Sequence, residues 1–383
     1  MNKRKIINDP VYGFTTIPDE FIYDLIQHPY FQRLRRIKQL GLTDFVYPGA
    51  SHTRFQHALG ALHLMTLAID SLRLKGIEIT QYEAQAAQIA ILLHDIGHSP
   101  FSHALEKKMI PLDHEKISVS FMHILNEEYN GGLDLAILIF TNQYHKKFLH
   151  QLVSGQLDLD RMDYLNRDSF YTGVAEGVIG YERLIKMLNV INNRLVVEEK
   201  GVYTIEKFLI SRRIMYWQVY LHKTVIAAEK MLIQWLELIS ISDELKILFP
   251  ALYTLRNAGN KDRQTMLKLF ADIDDSNVIF ALKLSRHSLN SKIKTLAEGI
   301  LNRNLFKCLL SSKPFTLAQK KEVKANTLYP DMVFEGIELN TGYKLKMDEI
   351  MVLKKNNKTV PLSKISELNY LPGIESKHYL VYK

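Results

Sequence analysis

The chain has 383 residues, of which 47% are hydrophobic, with a formal net charge of +8 and one cysteine. This length suggests two or three domains around a sizeable core. The lone Cys308 excludes an intrachain disulfide and fits a reducing compartment. No apolar stretch approaches the roughly 18 residues that cross a bilayer, and no secretory signal is apparent. We therefore expect a cytoplasmic protein with no membrane partner.

The positive charge suits anionic partners such as nucleotides or nucleic acid. An ordinary solvated basic surface would give the same net charge. Charge alone does not separate these two interpretations.

The hydrophobic pattern predicts a mainly α-helical chain with short strands near its ends. Residues 1–16 are predicted to form an extended arm with turns, and helical spacing dominates from about 19 to 313. An alternating stretch at 192–205 is predicted to be a hairpin inserted between helices. After 313 the strand-like segments are short, at Val333, Ile337, 343–345, 350–353 and 379–382. We therefore predict a helical core over 1–313 and a small α/β region over 314–383.

The first polar motif, SHTRFQHALG, starts at Ser51. Ser51 or Thr53 could cap a helix that begins near Arg54. Arg54 and His57 are three residues apart, so that both side chains can project from one helix face.

The second motif is HDIGHSPFSH at 94–103, which follows an apolar run at 84–93. The run predicts a buried helix that ends near Gly97 and Pro100. Polar side chains at such a helix end are costly to bury unpaired, and a bound cation would offset that cost. Histidines that only cap the helix carbonyls are the alternative, but several imidazoles and a carboxylate within ten residues favour the cation.

A third motif, DLDRMDYLNRD at 158–168, places several acidic side chains at the start of a predicted helix. Such residues can simply complement the helix dipole. Together, however, the three motifs supply His57, His94, Asp95 and Asp160 for a mixed nitrogen and oxygen site. Such ligands without thiolate suit Mn, Fe, Ni or Zn. Adjacent residues on a regular helix face different directions, so His94 and Asp95 can share a cation only if the helix end permits it.

These motifs resemble those of the HD-domain metal-dependent phosphohydrolases, in which H…HD…D is the ligand set. More narrowly, the motifs resemble those of the deoxynucleoside triphosphate triphosphohydrolase branch of this family. This resemblance rests on ordered matches from about residue 6 to 223, which are NDPVYG (8–13), FQRLRRIKQLG (31–41), FVYPGASHTRFQH (45–57), HDIGHSPFSH (94–103), DLDRMDYLNRD (158–168) and SRRIMYWQVYLHK (211–223). Nothing specific is recognised beyond about 313.

The resemblance implies roles for several polar residues. His57, His94, Asp95 and Asp160 match the metal ligands, while His98, His103 and His114 match active-site imidazoles. Arg54, His98 and His114 could supply positive charge to a phosphate. His103 could be a general acid oriented by Glu106, which replaces an Asp of the vertebrate enzyme.

The resemblance also implies substrate and effector positions. Residues matching sugar or phosphate contacts are Gln39, Leu40, Tyr164, Asp168, Arg212 and Tyr220. Residues matching an effector pocket are Lys5, Asn8, Arg35 and Lys223. Two residues depart from the vertebrate pattern: Gln27 replaces an Asp that selects a guanine effector, and Leu221 replaces a Gln near the base. A guanine-triggered assembly is therefore not expected.

The leading hypothesis is a metal-dependent hydrolase that cleaves dNTPs to deoxynucleoside and triphosphate, using Mn, Fe, Ni or Zn with or without Mg. One alternative is an HD-type phosphatase or phosphodiesterase for another phosphorylated small molecule. Another is a non-catalytic regulator that binds nucleotides or nucleic acid. Related enzymes are dimers or larger, with effector pockets between subunits, so we expect a homo-oligomer.

Overall fold

The structure, a computed structural model, describes residues 5–257, 263–341, 349–367 and 374–383. Within these ranges the chain is mainly helical, as predicted. The helices are α1 (Glu20–Gln27), α2 (Pro29–Gln32), α3 (Arg54–Leu74), α4 (Gln81–Leu93), α5 (His114–Glu128), α6 (Asp134–Phe140), α7 (Lys147–Val153), α8 (Leu159–Thr172), α9 (Tyr181–Met187), α10 (Val202–Met215), α11 (Lys223–Ser240), α12 (Leu245–Leu248), α13 (Pro250–Asn257), α14 (Arg263–Ala271), α15 (Asp275–Ser285), α16 (Ser291–Leu301) and α17 (Leu317–Asn326).

The strands in the described ranges are short and belong to three small sheets. They are β1 (Ile6–Asp9), β2 (Gly13–Thr16), β3 (Leu188–Ile191), β4 (Arg194–Glu198), β5 (Lys307–Ser311), β6 (Phe334–Thr341), β7 (Met351–Leu353), β8 (Thr359–Pro361) and β9 (Ile374–Tyr382). The sheet orders are β1-β2, β3-β4-β7-β8 and β5-β9-β6.

Helices α3, α4 and α8 form the centre of the fold and carry the predicted metal ligands. Helix α3 packs against both α4 and α8. Thr53 is the N-cap of α3, and its backbone N–H donates to Gln56 Oε1 at 2.8 Å. Most of α3 and nearly all of α4 is buried, because both helices are apolar around most of their circumference.

Gly60 lets α8 approach α3 closely. A Cβ atom at this position would lie 2.0 Å from Asp163 Oδ1 and 2.2 Å from an Arg167 side-chain nitrogen. A larger residue would therefore separate the two helices one turn after His57, which α3 also carries.

The two predicted extended segments both form antiparallel hairpins. The N-terminal arm folds as β1 and β2, paired from Ile6–Thr16 to Asp9–Gly13. The hairpin predicted at 192–205 is present, but it is shifted to 188–198. Asn192 and Asn193 both have positive φ, at 49° and 63°, as a tight two-residue turn requires. The prediction placed this hairpin too late because 202–205 already belongs to α10.

Strand pairing crosses the predicted boundary at 313. Strand β5 lies before it and pairs with β9, while β7 lies after it and pairs in parallel with β4. The division into 1–313 and 314–383 therefore stays a prediction. The strands expected at 333–337, 350–353 and 379–382 correspond to β6, β7 and β9, and the one expected at 343–345 lies outside the described residues.

None of the helices in the described part of the chain combines the length and apolar character needed to cross a membrane.

Candidate functional site

A cavity of about 610 Å³ lies beside α3, α4 and α8. This volume lies in the range usual for small-molecule sites. The predicted site residues that line it are Gln39, Leu40, Arg54, His94, Asp95, His98, His103, His114, Asp160, Tyr164, Asp168, Arg212 and Tyr220. His57 is fully buried and contacts this set from within the fold.

The four predicted metal ligands meet at one edge of the cavity. The Nε2 atoms of His57 and His94 are 3.2 Å apart. Asp160 Oδ1 lies 3.1 Å from the first and 3.5 Å from the second. Asp95 contributes Oδ2 at 3.6 Å from His57 Nε2 and Oδ1 at 3.4 Å from His94 Nε2. His57, His94 and Asp160 form a cluster that could hold a metal ion.

The hydrogen bonds of the two imidazoles fix their tautomers. His57 Nδ1 donates to Asp163 Oδ2 at 2.7 Å, and His94 Nδ1 donates to the Ile91 carbonyl oxygen at 2.6 Å. In the neutral rings both Nε2 atoms therefore present lone pairs. Two lone pairs that face each other at 3.2 Å repel unless a cation lies between them.

The charge around His57 also favours a cation. Burial lowers the pKa of this imidazole, but the carboxylates of Asp160, Asp163 and Asp95 outweigh burial and raise the pKa to about 10. The pocket therefore stabilises positive charge, which a proton or a divalent metal can supply. The donor set and the tautomers fit a divalent metal.

His94 and Asp95 lie at the end of α4. The helix ends at Leu93, and His94 is its C-cap and keeps helical backbone angles, with φ of −57° and ψ of −34°. Residues 94–97 form a turn, and Asp95 reaches both imidazoles because one of its oxygens lies near His57 and the other near His94. The Asp95 carboxylate also pairs with Arg54. Burial alone would raise the pKa of Asp95, but Arg54, His94 and His98 hold it well below its ordinary value.

A second cluster joins His98, His103 and His114 through Glu106. His103 Nδ1 lies 2.9 Å from Glu106 Oε2, and His114 Nδ1 lies 2.7 Å from Glu106 Oε1. Burial alone would raise the pKa of Glu106, but the two imidazoles lower it strongly. A carboxylate shared in this way orients both rings with Nδ1 as donor, which leaves their Nε2 atoms for proton exchange.

The imidazole of His98 connects the two clusters. Its Nε2 lies 3.1 Å from Asp95 Oδ1, and its ring stacks on His114 at 3.9 Å between centroids. Burial, Arg54 and His114 lower the pKa of His98 well below its ordinary value. The ligand atoms of His98, His103 and His114 are close enough for a metal. One nitrogen of each of these three rings already lies near a carboxylate, Asp95 for His98 and Glu106 for the other two.

The predicted sugar contacts form a hydrogen-bonded group on another wall of the cavity. Asp168 Oδ1 lies 2.7 Å from His52 Nε2, and Tyr220 donates its hydroxyl to Asp168 Oδ2 at 2.7 Å. Gln39 Oε1 is buried, and no hydrogen-bond partner is recorded for it among the described residues. This wall presents polar atoms that suit the hydroxyl of a ligand.

Leu40, Tyr164 and Arg212 also line the cavity. Tyr164 contacts Tyr220 edge-on at 6.1 Å between ring centroids. Tyr220 ends a π-helical turn at Tyr216–Tyr220, which continues directly from α10, the helix of Arg212. Such turns are rare and are frequent at functional sites. Here the turn places two tyrosines, at 216 and 220, on the cavity wall.

The predicted effector residues lie outside this cavity and are dispersed in the single chain. Lys5 and Asn8 belong to the N-terminal hairpin segment, where the Lys5 ammonium lies 5.3 Å from the Tyr23 ring centroid. Arg35 lines a separate surface cavity, and its guanidinium stacks on Phe55. Lys223 lines a third cavity beside β5. One chain alone does not bring these four residues into one pocket.

Four residues important to the site's geometry, Asp163, Arg167, Asp9 and His52, were given no role from the sequence. Asp163 orients His57 and is bound twice by Arg167, at 2.9 Å and 3.0 Å. Arg167 in turn forms an ion pair with Asp9 of the hairpin at 2.9 Å. The spacing of Asp163 and Arg167, four residues apart on a helix, already favoured their pairing. His52 and Asp168 are 116 positions apart in the sequence, so no local sequence pattern could indicate their hydrogen bond.

Comparisons with known proteins agree with this geometry. The family model of the HD domain matches residues 54–168, and that of the HD associated region matches residues 179–328. The first match begins at Arg54 and ends at Asp168, so it contains the four predicted metal ligands.

Similar proteins extend the likeness over most of the chain. A phosphohydrolase structure from Bacteroides thetaiotaomicron is 45% identical, with a TM-score of 0.90 and 100% of both chains covered. The uncharacterized protein YwfO of Bacillus subtilis is 32% identical over 80% of this chain and 72% of its own length. A protein of Dictyostelium discoideum named deoxynucleoside triphosphate triphosphohydrolase SAMHD1 homolog is 30% identical over 89% of this chain and 69% of its own length. The chain therefore belongs to the HD-domain phosphohydrolase family.

Proposed function

We propose that this protein hydrolyses deoxynucleoside triphosphates to deoxynucleoside and triphosphate. The observation that carries the proposal is that one cavity contains both predicted parts of a nucleotide site. This cavity is lined by the predicted metal ligands His94, Asp95 and Asp160 and also by Gln39 and Asp168, which are predicted to bind the sugar hydroxyl. A phosphate beside the cluster and a sugar against the wall can therefore belong to one ligand. The similarity to the Dictyostelium protein of that name supports the same substrate class.

His57, His94, Asp95 and Asp160 would hold the metal. When bound, a divalent metal polarises a phosphoryl oxygen and lowers the pKa of coordinated water. Nitrogen and carboxylate ligands without thiolate suit Mn, Fe, Ni or Zn, with Mg as an additional ion on the phosphates.

The side chains around the cluster would position and neutralise the phosphates. Arg54 is held by Ser102, whose Oγ accepts from Arg54 Nε at 2.7 Å, and by Asp95. Arg212 adds a second guanidinium on the cavity wall. Phosphoryl transfer depends mainly on positioning and on charge stabilisation, and these two guanidiniums could provide the positive charge.

The cluster of His98, His103 and His114 would supply the proton that the leaving group needs. Water attacks the α-phosphorus, the bond from that phosphorus to the 5′ oxygen breaks, and triphosphate is released. The 5′ oxygen then needs a proton, which His103 Nε2 can donate while Glu106 stabilises the charged ring through Nδ1. The side chain of His103 is 66% exposed, so that bulk water can return the proton.

The test is product analysis of purified protein with each dNTP and Mn²⁺, Fe²⁺, Ni²⁺, Zn²⁺ or Mg²⁺. We expect deoxynucleoside and triphosphate, and loss of both products in His94→Ala. His123→Ala is the matched control, because His123 is exposed on α5 away from the cavity. Orthophosphate as the product would instead support a phosphatase or phosphodiesterase. Nucleotide or nucleic-acid binding that survives His94→Ala, without turnover by the parent protein, would support a regulator.

We also propose a homo-oligomer in which a neighbouring subunit completes an anion-binding effector pocket. The dispersal of Lys5, Asn8, Arg35 and Lys223 over one chain supports this arrangement. Light scattering with and without dNTPs tests it, and a monomer under both conditions contradicts it.

A further inference from the structure

One part of the catalytic cavity carries an acidic side chain that the proposed reaction does not use. Glu229 and Ile233 are one turn apart on α11, and both line the cavity. Helix α11 packs against two 3₁₀ helices, Thr43–Phe45 and Ser102–Leu105. These contribute further cavity residues, so Glu229 lies where the helix after Tyr220 meets those turns.

The carboxylate of Glu229 has no hydrogen-bond partner among the described residues. The neighbouring Lys230 does not supply one, because its ammonium pairs with Glu338 at 2.7 Å. Burial raises the pKa of Glu229 to about 7, Lys230 lowers it in part, and Glu338 adds to the rise. A carboxylate that is costly to bury and makes no hydrogen bond is poised to accept hydrogen bonds from a ligand.

Apolar and charged side chains share this part of the cavity. Leu40, Ala104, Leu221 and Ile233 line it together with the ion pair of Lys230 and Glu338. Apolar walls with a few precisely placed polar groups are the usual lining of a small-molecule site. In a deoxynucleotide, the base is the part that can contact apolar side chains and also form directional hydrogen bonds.

The four bases present different edges to an ionised carboxylate, which is an acceptor only. Guanine offers two adjacent donors, its N1–H and its 2-amino group, which match the two carboxylate oxygens. Adenine and cytosine each offer one amino group next to an acceptor nitrogen. Thymine offers one N–H between two carbonyl oxygens, which the carboxylate repels.

We propose that Glu229 selects the base in this cavity and that it favours guanine. This inference rests on the proposed function, since it assigns a substrate preference to the same site. The carboxylate receives the guanine N1–H and 2-amino donors while the apolar side chains around it contact the base plane. Among the described residues no hydrogen bond or ion pair joins Glu229 to the predicted metal ligands, and the proposal gives Glu229 no part in the chemical step.

The test compares kcat/KM for the four dNTPs at pH 8, where Glu229 is ionised, in the parent protein, Glu229→Gln and Glu237→Gln. The amide has the shape of the acid but presents a donor in place of one acceptor. Glu237 is the matched control, because it lies on the same helix and pairs with Lys108 outside the cavity. We expect dGTP to exceed dTTP by about tenfold or more in the parent, as a bidentate pair to a base discriminates to that extent.

We expect Glu229→Gln to remove this preference, mainly by lowering kcat/KM for dGTP, and Glu237→Gln to retain it. Equal use of the four dNTPs by the parent, or an unchanged dGTP to dTTP ratio in Glu229→Gln, would overturn the inference and leave the hydrolase proposal intact.

Calorimetric binding of deoxyguanosine and thymidine separates the two proposals if no dNTP is hydrolysed. Tighter binding of deoxyguanosine, lost in Glu229→Gln, would support the base selection although the reaction had failed. Equal binding, or no binding of either nucleoside, would refute the base selection as well.

Discussion

The two histidine clusters of this protein are adjacent but differ in what fixes their rings. His57 and His94 are buried, and each has its Nδ1 bonded to an acceptor inside the fold. His103 and His114 are more exposed and share one carboxylate, Glu106. The first arrangement suits the proposed metal ion, whereas the second suits the proposed proton donation to the leaving group.

This difference follows from the elements that carry the residues. His57 lies in a long buried helix and His94 at the end of another, so neither ring can turn away. His103 lies in a short 3₁₀ helix, Ser102–Leu105, and its preceding residues Phe101 and Ser102 have φ of 55° and 57°. Such strained backbone persists at functional sites when its surroundings hold it. Here Asp275 accepts from the Phe101 backbone N–H at 2.7 Å.

The largest effect is expected when the metal cluster itself is broken. Asp160→Asn removes one of the two carboxylates that lie near both His57 and His94, the other being Asp95. We expect metal content after dialysis and hydrolytic activity to fall together to background. Elemental analysis and product release measure the two quantities. Full metal content in this variant would show that the ion binds elsewhere.

A smaller effect is expected from the proton-exchanging cluster. Glu106→Gln keeps the size of the side chain but removes the charge that orients His103 and His114. We expect kcat to fall by roughly 10²-fold to 10⁴-fold, the usual contribution of general acid catalysis, while metal content stays at the parent level. A loss of bound metal together with the loss of activity would mean that the two clusters do not act independently. The exposed Glu127→Gln on α5 is a control.

Asp163, which holds the His57 ring in place, allows a milder test of the buried cluster. Asp163→Asn weakens the hydrogen-bond acceptor for His57 Nδ1 and removes the negative charge that pairs with Arg167. We expect metal affinity or activity to fall about 10-fold to 100-fold, the usual cost of losing such an outer partner. Metal titration measures the affinity, and Asp134→Asn on α6 provides a comparison outside the site. An unchanged affinity would show that the ring needs no carboxylate to stay oriented.

The smallest effect on activity is expected at the opposite end of α4. Glu83 accepts from Tyr144 at 2.6 Å and from Lys146 at 2.9 Å. Burial would raise its pKa, but these partners and Thr80 lower it from 4.5 to about 2. Glu83→Gln should therefore cost about 1.5–3 kcal/mol of unfolding free energy at pH 7, with kcat unchanged.

The pH dependence of that cost follows from the sign of the shift. The pKa of Glu83 is lower in the folded chain, so its stabilising contribution is complete above about 4.5 and is lost as the pH falls towards 2. Denaturant unfolding at several pH values should show the gap between parent and variant narrowing below pH 4.5. A constant gap would assign the effect to packing rather than to charge.

The residues of the candidate site lie in compact motifs, whose local features could be predicted from the sequence. The apolar run before His94 predicted a buried helix, although this helix ends at Leu93, about one turn before the predicted end near Gly97. Of the two predicted caps, Ser51 and Thr53, the second is the N-cap of α3. Both signals are local, because capping and burial act within a turn of chain. The distances among His57, His94, Asp95 and Asp160 required the packing of three helices, and sequence could supply these residues only as a set.

The features that the sequence did not predict depend on contacts between distant residues or lie where one sequence pattern merges into the next. The bond of His52 to Asp168 and the exposure of Glu229 to the cavity depend on how distant helices pack. The hairpin at 188–198 was placed too late because its alternation continues into the start of α10. Pairing of β4 with β7 joins residues more than 150 positions apart, which no spacing rule anticipates.

The salt bridge between Asp9 and Arg167 ties the first strand of the chain to the interior. Arg167 holds Asp163, and Asp163 holds His57, so four side chains connect a surface hairpin to the imidazole that we propose as a metal ligand. If His57 binds that metal, a change that ordered the hairpin would strengthen metal binding. By the reciprocity of linked equilibria, metal binding would then also order the hairpin.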